Sequence, residues 1–232
     1  VEDLRRAIGK LGPIFIQGFG QTESPMTGTY LPAAEHDLDG PNAQRLLSCG
    51  RVRTGIELRI LDAQDQELPS GEIGEICLRG GSVMKGYWRR PDDTAETLRN
   101  GWLHTGDLGM MDRDGYVYIL DRSKDMVISG GLNIYPREIE ELLLQHPAIA
   151  EACVFGVPDA KWGEALAAHL VTRADVSLTE AEVLAHLGER AAGYKKPKQI
   201  RFVEALPRTS YGKIDKKAVR APYWAGQARQ VR

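Results

Sequence analysis

The chain has 232 residues, 42 % of them apolar and 27 % charged, with a formal net charge of −2. That is an ordinary soluble-globular composition, long enough for one or two domains, and it lacks the basic field that would make nucleic acid a default partner. Three widely spaced cysteines and five histidines with no ligand spacing give no disulfide framework or metal motif, which points to a reducing, cytoplasmic compartment.

No apolar run approaches the ~20 residues of a spanning helix, and the amino terminus lacks a signal-peptide layout. VEDLRRAIGK instead reads as the last turns of a helix, with Leu4, Ala7 and Ile8 on one face and Gly9 placed to cap it. A chain that opens inside an element suggests a piece of a longer protein. PIFIQ (13–17) suits a buried strand and runs into the glycine-rich loop GFGQTE (18–23). From residue 56 the apolar period becomes two, LPSGEIG supplies a turn, and EICLR alternates again. PDDTAETL (91–98) predicts a short helix with an acidic first turn, GWLHTGD (101–107) a loop ending in an acid, and MMDRDGYVYIL a hairpin around Asp-Gly. Residues 48–121 therefore predict a compact antiparallel β unit.

At DRSKD (121–125) the pattern changes. A short strand, MVI, and a Gly-Gly loop precede PREIEELLLQ (136–145), a helix with proline at its first position and an apolar face of Ile139, Leu142 and Leu143. AEACVFGV and EALAAHLVT are strand candidates. SLTEAEVLAHLGERAA opens on a capping-box pattern, KQIRFVE is a further strand, and PRTSYGKIDKK (207–217) leads to a last helix. The final PYWAGQARQVR reads as weakly ordered. This second part predicts an α+β unit of about 105 residues with its own core.

Taken one at a time, the loops are ambiguous. The glycines of GFGQTE allow close backbone approach to a ligand, and its hydroxyl and carboxylate suit a phosphate and a hard cation. An acid such as Asp107 can accept from two ribose hydroxyls or simply cap a turn, and turn chemistry explains each loop equally well. Their order is more specific. GFGQTE, GEICLRGGSVMKGYW, GWLHTGD, DRSKDMVISGGLNIYPREIEE and PRTSYGKI, in that sequence, resemble the adenylate-forming (AMP-binding) superfamily: acyl-CoA synthetases, adenylation domains and luciferases. The wording VISGGLNIYPREIE is nearest to that of the acyl- and aryl-CoA synthetases.

The resemblance implies a multi-part α/β and α+β fold. Residues 1–121 would be the carboxy-terminal strip and β-barrel-like subdomain of the large AMP-binding domain, 122–125 a hinge, and 126–232 a small α+β lid that rotates between two poses. The family's Ser/Thr/Gly-rich phosphate loop belongs upstream and has no counterpart here, so the chain alone is expected to be inactive. The full-length enzyme would use ATP, Mg2+ and coenzyme A to convert a small-molecule carboxylic acid into an acyl-adenylate and then a thioester.

By the same resemblance, Lys213 is the catalytic cation of adenylation. A carboxylate and a phosphate at ~4 Å repel by roughly 4 kcal/mol per unit charge at an effective dielectric near 20, and a lysine between them offsets that. Glu23 matches the magnesium-binding acid, Thr22 the phosphate-contacting hydroxyl, Asp107 the ribose acceptor and Arg122 a nucleotide contact. Phe19 stands where a ring packs on adenine, or equally as core filler. Lys124 takes the hinge position, and Gly131, in the 129–133 loop, faces the pantetheine arm in the second pose. MKGYW (84–88) and Trp162-Gly163-Glu164 read as packing, and Lys195, Lys196 and Lys198 as a solvated face in preference to a basic cluster that meets coenzyme A phosphates. A fatty-acid-type ligase, an aryl-CoA ligase and, from another class, a non-catalytic nucleotide-binding or interaction module remain the alternatives. Acyl group and oligomeric state are left open by the residues.

Overall fold

A computed structural model describes residues 2–25, 28–174, 176–188 and 190–226. The chain divides into two compact units, Val1–Leu120 and Asp121–Arg232.

The first unit opens with α1 (Glu2–Leu11). Its cap is Gly12 and not the expected Gly9: Gly12 adopts φ +80° and donates its N–H to the Ile8 carbonyl at 2.8 Å, whereas Gly9 lies within the helix. The strand expected at 13–17 does not form. Ile14 and Ile16 are 67 % and 61 % exposed, and Gln17 makes only a single bridge to Leu31. An apolar run becomes a strand only where neighbours pair its edges, and within the described residues of this unit there is one such contact. Next, β1 (Thr29–Tyr30) pairs antiparallel with β2 (Arg51–Val52).

The core sheet of this unit is antiparallel and sequential: β3 (Ile56–Leu61), β4 (Gly74–Gly80), β5 (Leu103–Met111) and β6 (Val117–Arg122). Period-two alternation places Leu58 opposite Leu78 and Ile60 opposite Ile76, and these pack with Ile56, Leu103 and Val117. The sheet is open, with β3 and β6 at its ends; the expected barrel-like closure is not formed among the described residues. The short helix α2 (Pro91–Thr97) has proline at its start and Asp92 and Asp93 in its first turn, as its sequence dictates. GWLHTGD proves to be strand rather than loop, but a disrupted one. Cys77 pairs with His104 while Glu75 pairs with Leu108, so β5 carries extra residues there and bows outward at Thr105–Asp107.

In the second unit, β7 (Val127–Ser129) and β8 (Leu132–Ile134) form a hairpin around Gly130 and Gly131. Helix α3 (Pro136–Leu144) follows, then the long antiparallel pair β9 (Ile149–Asp159) and β10 (Gly163–Thr172). Helix α4 (Glu180–Leu187) begins with a complete capping box between Thr179 and Glu182 and makes the crossover to β11 (Gln199–Phe202), which lies parallel to β10. Alternation along β9 splits two cores. Ala152 and Val154 pack toward Ile139, Leu143, Val183 and Leu187 of α3 and α4, while Cys153, Phe155 and Val157 face Leu206 and Val219. Val219 belongs to α5 (Lys216–Arg220), which is N-capped by Asp215. The sheet is thus covered on both faces. Part of the tail expected to be loose is tied down, since Trp224 donates its indole N–H to the Gly156 carbonyl at 2.9 Å; residues 227–232 lie outside the described residues.

Candidate functional site

In the first unit, reciprocal backbone hydrogen bonds between Gln21 and Ser24 (3.2 and 3.1 Å) close a tight turn with Thr22 and Glu23 at its tip. Thr22 is exposed and Glu23 half-buried. One Glu23 carboxylate oxygen accepts a hydrogen bond from Tyr87 Oη at 2.7 Å, and the Glu23 carbonyl accepts from the Met84 N–H at 2.8 Å. Burial, and after it the bond to Glu23, raise the Tyr87 pKa, so the phenol stays protonated as the donor. MKGYW therefore does more than pack: it fixes the acid of GFGQTE.

Asp107 stands on the outward bow of β5 and is buried. Gln21 Nε2 donates to Asp107 Oδ2 at 2.9 Å and to the Thr105 carbonyl at 2.8 Å, which brings GFGQTE and GWLHTGD together. Glu75, at the pairing shift in β4, shapes the bow from behind. Its carboxylate accepts the Gly106 N–H at 2.8 Å and lies 2.8 Å from His104 Nδ1. A carboxylate only accepts, so that nitrogen carries the proton. The ring of Phe19, by contrast, is only 7 % exposed and sits in the sheet core with Leu58 and Leu78. A ring so enclosed presents little face to adenine, and packing is the role its position supports.

The second unit presents a different cluster. Thr209 donates its N–H to the Lys213 carbonyl at 2.8 Å, Gly212 donates to Thr209 at 2.9 Å, and Arg208 bridges Ile214 as a β pair. Gly212 takes φ +79°, the left-handed conformation that a tight turn of this kind needs. Lys213 is exposed at the end of this turn, and among the described residues no ion pair is formed by its amine. Lys216, three positions on, is the opposite case: it pairs with Glu140 at 2.8 Å in a largely buried setting. Burial works against its charge, but the attraction of Glu140, Asp121 and Asp125 outweighs this and holds the Lys216 pKa above its ordinary value. Lys124 and Arg122 are exposed at the start of the unit, and Gly131 is exposed at the β7–β8 tip with φ +83°. Lys195 and Lys198 are not a freely solvated face; they pair with Glu138 and Asp159, each at 2.7 Å.

Two family models match the chain: AMP-binding enzyme over residues 1–88, and AMP-binding enzyme C-terminal domain over residues 138–213. The chain belongs to the adenylate-forming, AMP-binding enzyme superfamily. It is 45 % identical over 98 % of its length to the medium/long-chain-fatty-acid–CoA ligase FadD8 of Mycobacterium tuberculosis, covering 40 % of that protein. It is 39 % identical, again over 98 % of its length, to the fatty acid–[acyl-carrier-protein] ligase ScoC of Streptomyces coeruleorubidus, covering 43 % of it. Among solved structures, o-succinylbenzoate CoA synthetase (MenE) of Bacillus subtilis in complex with its acyl-adenylate intermediate matches with a TM-score of 0.85 at 34 % identity. That match covers 99 % of this chain and 44 % of MenE. The chain thus spans less than half the length of these adenylate-forming relatives.

Within this superfamily member, Gln21, Tyr87, Glu75 and His104 are the site-supporting residues that motif reading passes over. Glu75, Cys77 and His104 place one ligand-type atom each within 4.8 Å of one another. That set does not suit an ion. The proton on His104 Nδ1 is committed to Glu75, burial pushes the Cys77 thiol pKa far up, and Arg99 lies 3.4 Å from the same Glu75 oxygen. Its role is to hold the bow that carries Asp107. The three cysteines are free, and among the described residues no helix is long and apolar enough to cross a membrane.

Proposed function

We propose that the chain is the carboxy-terminal portion of a cytoplasmic, ATP-dependent acyl-CoA synthetase acting on a fatty or related carboxylic acid. In the first half-reaction a carboxylate oxygen attacks the α-phosphorus of ATP, the bond to the β-phosphate breaks, and pyrophosphate leaves. In the second, a thiol attacks the acyl carbon, loses its proton, and AMP departs.

The observation that carries this reading is Lys213: an exposed ammonium without an ion-pair partner among the described residues, on a turn closed by backbone hydrogen bonds from Thr209 to Lys213 and from Gly212 to Thr209. A cation held in readiness offsets the repulsion between the carboxylate and the α-phosphate. In the first unit, Asp107 would accept from the ribose hydroxyls while Gln21 orients it, and Thr22 would contact phosphate. Glu23 has one carboxylate oxygen engaged by Tyr87, and the other suits Mg2+, which takes one or two carboxylates together with phosphate oxygens. Arg122 would contact the nucleotide, Lys124 would serve as the pivot, and Gly131 would border the pantetheine arm.

The test uses the full-length protein and a panel of aliphatic and aromatic acids, with pyrophosphate release read separately from thioester formation. Lys213→Ala should slow adenylation by ~10²–10³, the scale of one preorganised electrostatic contact, and spare thioester formation from preformed acyl-adenylate. Comparable losses in both steps would overturn the assignment of Lys213, and no pyrophosphate release with any acid would favour a non-catalytic module. The MenE likeness favours an aryl acid as the second reading of the substrate, and the ScoC likeness an acyl-carrier protein as the second reading of the acceptor. Offering coenzyme A and a carrier protein in parallel separates the acceptors.

A further inference from the structure

Arg208 lies five residues before Lys213 and is itself exposed, yet both terminal nitrogens of its guanidinium are engaged. Nη1 donates to the carbonyl oxygen of Gly212, the peptide immediately preceding Lys213, at 2.7 Å. Nη2 donates to Glu151 Oε1, on β9, at 2.7 Å. A single planar fork therefore ties the catalytic turn to the central sheet of the second unit. The turn is short of other anchors at its tip. Tyr211 is 91 % exposed, and what holds the loop from below is the Arg208–Ile214 bridge and the packing of Ile214 beside Phe155 and Val219. Glu151 meets Arg208 through Oε1 alone; its second oxygen, Oε2, is buried without a partner among the described residues.

The pair contributes little to global stability. Its side chains are 48 % and 32 % exposed, and ion pairs at such positions are screened by solvent. What it does fix is direction. The Gly212 carbonyl belongs to the peptide plane that leads into Lys213, and with Gly212 at φ +79° that plane would otherwise rotate at low cost. Lysine cannot replace the arginine, since a point-charge ammonium does not span two acceptors in fixed fork geometry.

We propose that Arg208 is a positioning residue for adenylation, acting through Lys213: by bridging Gly212 and Glu151 it holds the lysine's turn in its working shape before ligand arrives. This rests on the assignment of Lys213 above. The reaction is sensitive to such placement, because displacing a reacting group by an ångström costs up to about 10²-fold in rate.

The experiment is a double-mutant cycle in the full-length enzyme, with the two half-reactions measured separately. Arg208→Ala should lower the adenylation rate by about 10- to 10²-fold with ATP affinity within about twofold, and Arg208→Lys should lose most of the same rate while keeping the melting temperature. In a Lys213→Ala background, Arg208→Ala should add no further loss, since its effect passes through the missing lysine. Equal slowing in both backgrounds, equal slowing of both half-reactions, or an unchanged rate with Lys213→Ala slow would each overturn the role of Arg208 and leave that of Lys213 standing. Normal adenylation by Lys213→Ala would instead remove the lysine's assignment, and the inference with it.

Discussion

Arg220, on the last helix, is ion-paired with Asp125 at 3.1 Å and donates to the carbonyl oxygen of Lys124 at the same distance. Both side chains are mostly buried, 19 % and 13 % exposed. The segment expected to act as a pivot is therefore a 3-10 turn, Ser123–Asp125, clamped from α5. Because α5 starts just after the Lys213 turn, one short helix connects that turn to the Ser123–Asp125 segment by sequence and by charge.

Removing that clamp should loosen the pivot locally. Arg220→Ala is expected to speed amide exchange at residues 123–126 and to cost about 1–3 kcal/mol, the scale of hydrogen bonds to charged groups. Exchange mass spectrometry and a denaturant midpoint on the chain check both. Unchanged exchange there would show that the clamp does not hold the turn.

The amide of Gln21 donates a hydrogen bond to the Asp107 carboxylate at 2.9 Å from the neighbouring motif. Gln21→Leu should leave Asp107 misoriented and raise the KM for ATP of the full-length enzyme by about 5- to 10-fold, equivalent to losing one ordinary hydrogen bond. An unchanged KM would mean that Asp107 does not depend on this amide for its orientation, or does not meet the nucleotide.

What the sequence made legible was what is encoded locally. Pro136 and the Thr179–Glu182 box mark helix starts within four residues, and β9 and β10 are recognisable because strands buried on both faces are apolar throughout. Asp-Gly located the β5–β6 turn for the same reason. The failures share a cause as well. Residues 13–17 are apolar enough for a strand, but pairing depends on neighbours that no local pattern reveals. The outward bow of β5 arises from a register shift against β4, and no feature of HTGD itself encodes it. Gln21 and Asp107 are 86 positions apart, and Arg208 and Glu151 57. The motifs named the groups that would touch a ligand; their supports are polar residues whose partners only the fold supplies.

The two glycines of the β7–β8 hairpin differ in what they tolerate. Gly130 has φ +57°, and a Cβ there would stand 2.6 Å from the Trp162 ring, so Trp162 is its packing partner. Gly131 has φ +83° with nothing within 4 Å of such an atom. Gly131→Ala should thus cost only the left-handed strain, about 1–2 kcal/mol, and Gly130→Ala measurably more. If Gly131 borders the pantetheine arm, its alanine variant should also slow thioester formation in the full-length enzyme while sparing adenylation. Equal destabilisation by the two variants would show that the Trp162 ring yields freely.

The last prediction concerns pH. His169, on β10, is half-buried, with Nε2 2.9 Å from Tyr223 Oη and its ring edge-on to Phe155. Burial, and after it the neighbouring Arg201 charge, lower its pKa below the ordinary 6.5. The unfolded chain therefore binds a proton in an interval where the folded chain does not, and folding is penalised there. The stability associated with a neutral His169 is complete above about pH 6.5 and falls as the pH drops from that value through the lower folded pKa. His169→Gln can keep a polar contact with Tyr223 and has no proton to gain. Its melting temperature should start below that of the native chain at pH 7.5, and the gap should narrow as the pH is taken to 5.5. Parallel decline of the two proteins across that range would place the acid sensitivity elsewhere, with Glu140 and Lys216, a largely buried ionic pair of this unit, next in line.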